Sequence, residues 1–190
     1  TKTIGDYILG PAIRRFLDAP DHQLQFLVDN TAALLHRLEQ GELDFVVLEG
    51  VFNKARYDSF LLRNEPYIGI CPPGHPLDGQ TISPEALLGQ RLILREEGSG
   101  TRDLLERALA QCSYTVEAFS GTVCVSSFKV IRDLVCAGYG ISFVYAAVAA
   151  DLPAPGRFFC PPLTGSHELN VVWLKGTDAG ALARAFVAGL

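Results

Sequence analysis

No methionine occurs in this 190-residue chain, the first position included, and tryptophan occurs once. With no initiator, and with a start directly at a strand-to-helix turn, the sequence is expected to be a piece of a longer protein. Basic residues are outnumbered, 16 Lys and Arg against 21 Asp and Glu, for a formal net charge of −5. That balance argues against this piece gripping nucleic acid by itself. No apolar run reaches membrane-spanning length, and no export signal opens the chain. The five cysteines (Cys71, Cys112, Cys124, Cys136 and Cys160) include no CxxC pair and are odd in number. They read as reduced, buried thiols of a cytoplasmic protein, with Cys136 on the apolar face of a helix.

Catalysis and metal binding find little to work with. His22, His36, His75 and His167 fall on a strand start, a helix, a Pro-rich turn and a Gly-Ser turn. None sits where the hydroxyls of Thr3, Ser99, Thr101 and Ser126 gather, so a Ser–His arrangement has no base. No two histidines stand at i, i+4, and no cysteine spacing suits zinc. Gly98-Ser99-Gly100-Thr101 lacks the Lys-Ser/Thr of a phosphate-binding P-loop. Gly138-Tyr139-Gly140 closes a helix where a dinucleotide fingerprint would open one. We therefore expect no catalytic residue, no metal and no cofactor.

What the chain does have is polar turns at strand-to-helix junctions. The apolar run Arg91-Leu92-Ile93-Leu94 leads through Arg95-Glu96-Glu97-Gly98-Ser99-Gly100-Thr101-Arg102 into an amphipathic stretch. Glycines permit the sharp turn, and a helix starting there leaves its first N–H groups unpaired with the positive dipole end exposed. Ser99 and Thr101 add hydroxyls, which also suit ordinary N-caps. Thr1-Lys2-Thr3-Ile4-Gly5-Asp6-Tyr7 and Asp29-Asn30-Thr31 repeat the pattern. Three such turns suggest a ligand cleft at the carboxyl ends of a parallel sheet.

Periodicity predicts helices near 6–18, 31–40 and 101–112, and over 84–88, 128–137 and 179–190. Ser83 would cap the short helix. Phe128, Ile131, Leu134 and Val135 would form the buried stripe of the 128–137 helix, with Lys129 and Arg132 left open between cleft and solvent. Strands are predicted near 23–28, 58–63, 67–71 and 114–119, and over 43–48, 91–94, 141–145 and 168–174, with an extended connector at 157–162. Gly41 would close the third helical segment's predecessor at 31–40. The alternation implies an α/β class with a mostly parallel sheet. Pro-rich breaks near 72–76 and 153–162 suggest that the chain crosses twice between two lobes.

At this point the chain resembles a known family. Thr3-Ile4-Gly5-Asp6-Tyr7-Ile8-Leu9, Asp29-Asn30-Thr31, Gly41-Glu42-Leu43-Asp44-Phe45-Val46-Val47, Gly74-His75-Pro76-Leu77, Gly98-Ser99-Gly100-Thr101-Arg102 and Ala137-Gly138-Tyr139-Gly140-Ile141-Ser142 occur in the order and spacing of the effector-binding region of LysR-type transcriptional regulators. The resemblance implies a type 2 periplasmic-binding-protein fold of two Rossmann-like lobes joined by two crossovers. Lobe I would hold 1–67 plus 162–190, and lobe II 68–161. A winged-helix DNA-binding domain, and one strand, would precede the chain. A small effector would bind between the lobes at Thr3, Ile4, Asn30, Thr31, Ser99, Gly100, Thr101 and Ser126, with Phe143 and Val144 as a wall. Arg102 would either add charge for an anion or pair with Glu106 at i+4. The implied protein is cytoplasmic, not an enzyme, and reaches DNA only through the missing domain. It would form a homodimer or homotetramer through the helix Thr31–Gln40 and apolar positions near Val123–Val130, with no membrane partner. The hydroxyls favour a small anion, while Ile4, Phe143 and Tyr145 would suit an aromatic acid.

Two other readings share this scaffold. A solute-binding protein feeding a transporter would account for the same turns, but the unpaired cysteines and missing export signal weigh against it. An enzyme would need a histidine, paired carboxylates or metal ligands near the turns.

Overall fold

In the computed structural model, residues 1–49, 51–150 and 154–190 are described. The chain divides into unit 1, Thr1–Asn64 with Glu168–Leu190, and unit 2, Glu65–His167. Unit 1 opens with helices α1 (Lys2–Tyr7) and α2 (Gly10–Leu17) where a single helix near 6–18 is expected. The break falls before Gly10-Pro11, because proline has no N–H to give the preceding turn and fits the first turn of a new helix. Helix α3 (Thr31–Glu39) and strand β1 (Val46–Glu49) follow.

Strand β2 (Tyr57–Cys71) then carries the chain from unit 1 into unit 2 without interruption, so the runs near 58–63 and 67–71 are one strand. Unit 2 holds β3 (Arg91–Leu94), α4 (Gly100–Gln111), β4 (Gly121–Cys124), α5 (Phe128–Cys136), β5 (Ser142–Tyr145) and β6 (Gly156–Phe158). Strand β7 (Gly165–Leu174) returns to unit 1, which ends in α6 (Ala179–Val187).

Pairing departs from the mostly parallel expectation. β3 and β4 are parallel, with Leu94 opposite Cys124, and Leu92 bridges Ile141 in the same sense. The ladders made to β7 by β1, and to β2 by β5 and β6, are antiparallel. Strand-helix alternation anticipates parallel crossovers, whereas the long strands β2 and β7 take β5 and β6, and β1, in the opposite sense.

Several local expectations change as well. The segment 114–119 is a 3-10 turn at Val116–Ala118, and the strand lies later, at β4. Pro84–Leu87 is also a 3-10 turn, without a side-chain cap from Ser83. The connector at 157–162 contains part of β6, and His167 lies within β7. Residue 153 of the second Pro-rich break lies outside the described residues. Gln23–Val28 joins no ladder among the described residues. With residues 42–47, Gln23–Leu27 lines a cavity of about 220 Å³.

In unit 1, Leu34 and Leu38, one helical turn apart on α3, pack with Val46, Leu48, Tyr57 and Val172. Asn30 caps α3 by accepting a hydrogen bond from Ala33 N at 2.9 Å, and Gly41 follows its end at φ 72°. Asn30→Ala should therefore lower stability by about 1 kcal/mol, measured as a fall in the urea midpoint.

In unit 2, Ile93 N donates to Ile141 O at 2.8 Å and Ile141 N to Arg91 O at 2.9 Å. This approach needs Gly140, since a Cβ there would lie 2.4 Å from Arg91 O. On α5 the buried residues are Phe128, Ile131, Arg132 and Val135, so Arg132 takes the place expected for Leu134. Its Nη1 donates to Val148 O at 3.2 Å.

The imidazole of His167 sits 5.6 Å from the Tyr67 ring and 6.5 Å from that of Tyr145, and burial pushes its pKa below the ordinary value. The unfolded chain then takes up this proton first. The contribution is present above about pH 6.5 and is lost as pH falls toward the lower folded pKa. Thermal midpoints of His167→Gln should accordingly fall less than those of the parent chain between about pH 7.5 and pH 5.5.

Candidate functional site

The parallel strands β3 and β4 end side by side, with Val125 N donating to Leu94 O at 2.8 Å. Each then turns into a helix, through 95–99 into α4 and through 125–127 into α5. Ser99 occupies the N-cap position of α4. Its N–H donates to Glu96 O at 3.2 Å, and its carbonyl accepts from Asp103 N at 3.0 Å, closing the first turn. The hydroxyl, however, makes no cap bond. Ser99 is 2% exposed and its Oγ has no hydrogen-bond partner. A buried, unsatisfied hydroxyl costs about 1–3 kcal/mol, which an acceptor brought by a ligand would recover.

The neighbouring residues divide into separate roles. Gly100 and Thr101 are buried in the first turn of α4, where the Thr101 carbonyl accepts from the Tyr67 hydroxyl at 3.0 Å. Arg102 turns to the acids of its own surroundings. Its Nε donates to Glu106 Oε1 at 2.7 Å, and Nη2 lies 3.8 Å from Glu97 Oε1. The bond to Glu106 raises its pKa. The pairing alternative is thus the one the structure adopts. Ser126 is exposed, and the hydroxyl that caps α5 is that of Ser127, which accepts from Val130 N at 3.4 Å. Lys129 points outward and pairs with Asp133 at 2.7 Å.

Phe143 and Val144, expected as a wall, belong to the core of unit 2. The Phe143 ring lies 6.4 Å from Tyr67 and 5.6 Å from Phe158. In unit 1, Thr3 and Ile4 are both fully buried on α1, and Thr31 is buried at the start of α3. The Oγ1 atoms of Thr3 and Thr31 have no partner, while Asn30 spends its side chain on the cap.

Arg95 is a residue that the sequence reading did not single out. It is 2% exposed and stacks its guanidinium 4.3 Å above the Phe128 ring. Nε and Nη2 donate to the two Glu96 oxygens at 2.8 and 2.9 Å, and Nη1 has no partner. Its position directly after an apolar strand was a signal, but arginines are exposed by default and burial is set by distant residues.

Among the described residues, no group of three His, Cys, Asp or Glu could hold a metal ion. The cysteines are all free, yet only Cys71 and Cys160 are buried, and burial pushes both thiols up to about 11. Cys124 is exposed, against the expectation of buried thiols throughout, because alternate residues of β4 face outward.

Residues 1–190 match the family described as LysR substrate binding domain. The chain belongs to this family. Its relatives include the HTH-type transcriptional regulator CbbR of Sinorhizobium medicae (strain WSM419), 31% identical over 144 residues, which are 75% of this chain and 45% of the relative. The LysR domain therefore spans less than half of that relative's length. In structure it is similar to the Synechocystis PCC6803 CcmR regulatory domain in complex with 2-PG, with a TM-score of 0.87 at 19% identity, covering 98% of this chain and 92% of that one. The effector binding domain of QuiR in complex with shikimate gives a TM-score of 0.78 at 17% identity, covering 97% and 90%. The shared fold is that of type 2 periplasmic-binding proteins. Among the described residues of this LysR domain, no helix is long and apolar enough to cross a membrane.

Proposed function

We propose that this LysR domain is the ligand-sensing part of a bacterial transcriptional regulator, non-catalytic and cytoplasmic, whose effector is a small polar or anionic molecule. The observation that carries this reading is the set of buried hydroxyls at helix starts, Thr3, Thr31 and Ser99, each without a partner. Hydroxyls and helix N-termini can replace the water around a carboxylate or phosphate with no proton chemistry. Of the candidate residues, these three are assigned direct contact with the effector. Gly100 permits close approach, whereas Asn30, Thr101 and Arg102 shape the turns. Regulators of the same fold hold 2-PG and shikimate, which supports a small-molecule ligand.

Regulation requires only that the effector prefer one conformation to another, and each tenfold preference is worth about 1.4 kcal/mol. Contact with DNA is assigned to a winged-helix segment outside this chain, in keeping with the HTH-type relatives. Assembly into a homodimer or homotetramer is assigned to α3 and to the segment Val123–Val130, where Val130 is 43% exposed.

A thermal-shift screen of the chain against small carboxylates, phosphates, sulfate, amino acids and neutral sugars tests the reading. One chemical class should stabilise it, by about 2.7 kcal/mol at a hundredfold excess over Kd. A flat profile for every compound, with DNA binding by the full-length protein equally unmoved by them, would overturn it.

A further inference from the structure

We infer that Arg95 selects the charge of the ligand, its guanidinium taking an oxyanion (carboxylate or phosphate) together with the Ser99 hydroxyl. This deepens the ligand-sensing reading and rests on it. The hydrogen bonding of Arg95 is incomplete. A guanidinium has five donors and no acceptor, and burying it is costly unless its donors are paired. Glu96 takes Nε and Nη2, leaving Nη1 without a partner on a residue that is 2% exposed. Four residues later the Ser99 Oγ is equally buried and equally unpartnered. The two residues flank one turn, closed by the hydrogen bond from Ser99 N to Glu96 O. Nη1 can be satisfied only by an acceptor, and Ser99 can donate to the same group.

Charge leaves room for an anion. Ser99 stands at the positive end of α4, and Phe128, the ring under the guanidinium, is the first residue of α5. Two helix N-termini contribute roughly half a positive charge each. Glu96 offsets the charge of Arg95, and Arg102, whose Nη1 donates to Arg95 O at 3.4 Å, is offset by Glu106 and Glu97. Cys124 Sγ also meets Arg95 O, at 3.7 Å, and adds no cation. Two arginines thus face three glutamates, and the two helix ends bring the turn close to neutral, so the call for an acceptor comes from the unpartnered Nη1 and Ser99 hydroxyl rather than from an excess of positive charge. The guanidinium, meanwhile, is held in place by Phe128 on its face and Glu96 on one edge. Such a preorganised fork loses little freedom on accepting a planar or tetrahedral oxyanion.

The test is calorimetric titration at low salt of the intact chain and its Arg95→Gln, Arg95→Lys and Glu96→Gln variants, with inorganic phosphate, sulfate and acetate as probes. Arg95→Gln should weaken oxyanion binding by about tenfold or more, and Arg95→Lys should restore part of it. Glu96→Gln should instead strengthen binding, by roughly tenfold, because the guanidinium then lacks its counter-charge. A purely structural Arg95–Glu96 pair would have both substitutions lower the unfolding midpoint while leaving anion affinity alike. Glu96→Gln still decides the matter if Arg95→Gln fails to fold. Unchanged affinity in Glu96→Gln, or no response to any probe in either the parent chain or Glu96→Gln, overturns the role of Arg95. A neutral compound that binds the parent and Arg95→Gln equally well would overturn this role too, while leaving the ligand-sensing reading intact.

Discussion

Replacing Gly69 by alanine should lower the stability of the chain by about 3 kcal/mol, near the upper end for overpacking a core. Gly69 lies in β2 opposite both Phe143 of β5 and Phe158 of β6. A Cβ at this position would fall 2.2 Å from Cε2, 2.3 Å from Cζ and 2.6 Å from Cδ2 of Phe158. These atoms belong to a rigid ring that is fully buried and packed edge-on against Phe143, with centroids 5.6 Å apart. The ring cannot swing into solvent as a lysine tail could, so either the backbone of β2 or the aromatic cluster must shift. Phe158→Ala alone should cost about 3–5 kcal/mol through the cavity it leaves. The double variant should then be less damaging than the sum of the two, by about 1–3 kcal/mol, since the added methyl occupies space that the ring has vacated. Urea unfolding of the four proteins measures that coupling. Strict additivity would mean that Gly69 is not held as glycine by Phe158.

That contact also marks the limit of what was legible in advance. Signals that act within a few residues were readable. The apolar spacing and glycine-terminated end of α3, the 128–136 helix and the strand at 91–94 follow from periodicity, capping and turn chemistry. Arg102 was legible as one of two alternatives, because its partner Glu106 is a single helical turn away. What depends on residues far apart was not. The sense of pairing along β2 and β7 is set by which strands lie beside them, and no local periodicity reports that. A run such as 114–119 has β-forming residues, yet only 121–124 meets β3, so the strand forms there. The candidate site divides along the same line. Glycines and hydroxyls located the turns, but which hydroxyl caps and which is spare depends on neighbouring geometry. Asn30 and Ser127 cap, and Ser99 does not. The burial of Arg95 was hidden for the same reason, since Phe128 comes 33 positions later by its number in the chain.

Ser99→Ala should separate ligand binding from folding. If the serine were an ordinary N-cap, its loss would destabilise α4 by about 1 kcal/mol. Its Oγ makes no cap bond, however, and is buried without a partner, so deleting it removes a desolvated polar atom. The unfolding midpoint of the unliganded chain is therefore expected to hold or rise. Binding should respond in the opposite direction. In complex with an oxyanion, the hydroxyl would donate a hydrogen bond to a charged acceptor, a contact worth about 1.5–3 kcal/mol, or roughly tenfold to hundredfold in Kd. Thr31→Val is a useful comparison, because it removes a second unpartnered Oγ1 from unit 1 while keeping the branched shape of the side chain. Chemical unfolding without ligand, followed by titration with the compound that emerges from the screen, reads both quantities on one preparation. A lower midpoint with unchanged affinity would make Ser99 a cap and remove it from the site. A steady or higher midpoint with weakened affinity would mean that the fold tolerates an unsatisfied hydroxyl there because the ligand completes it.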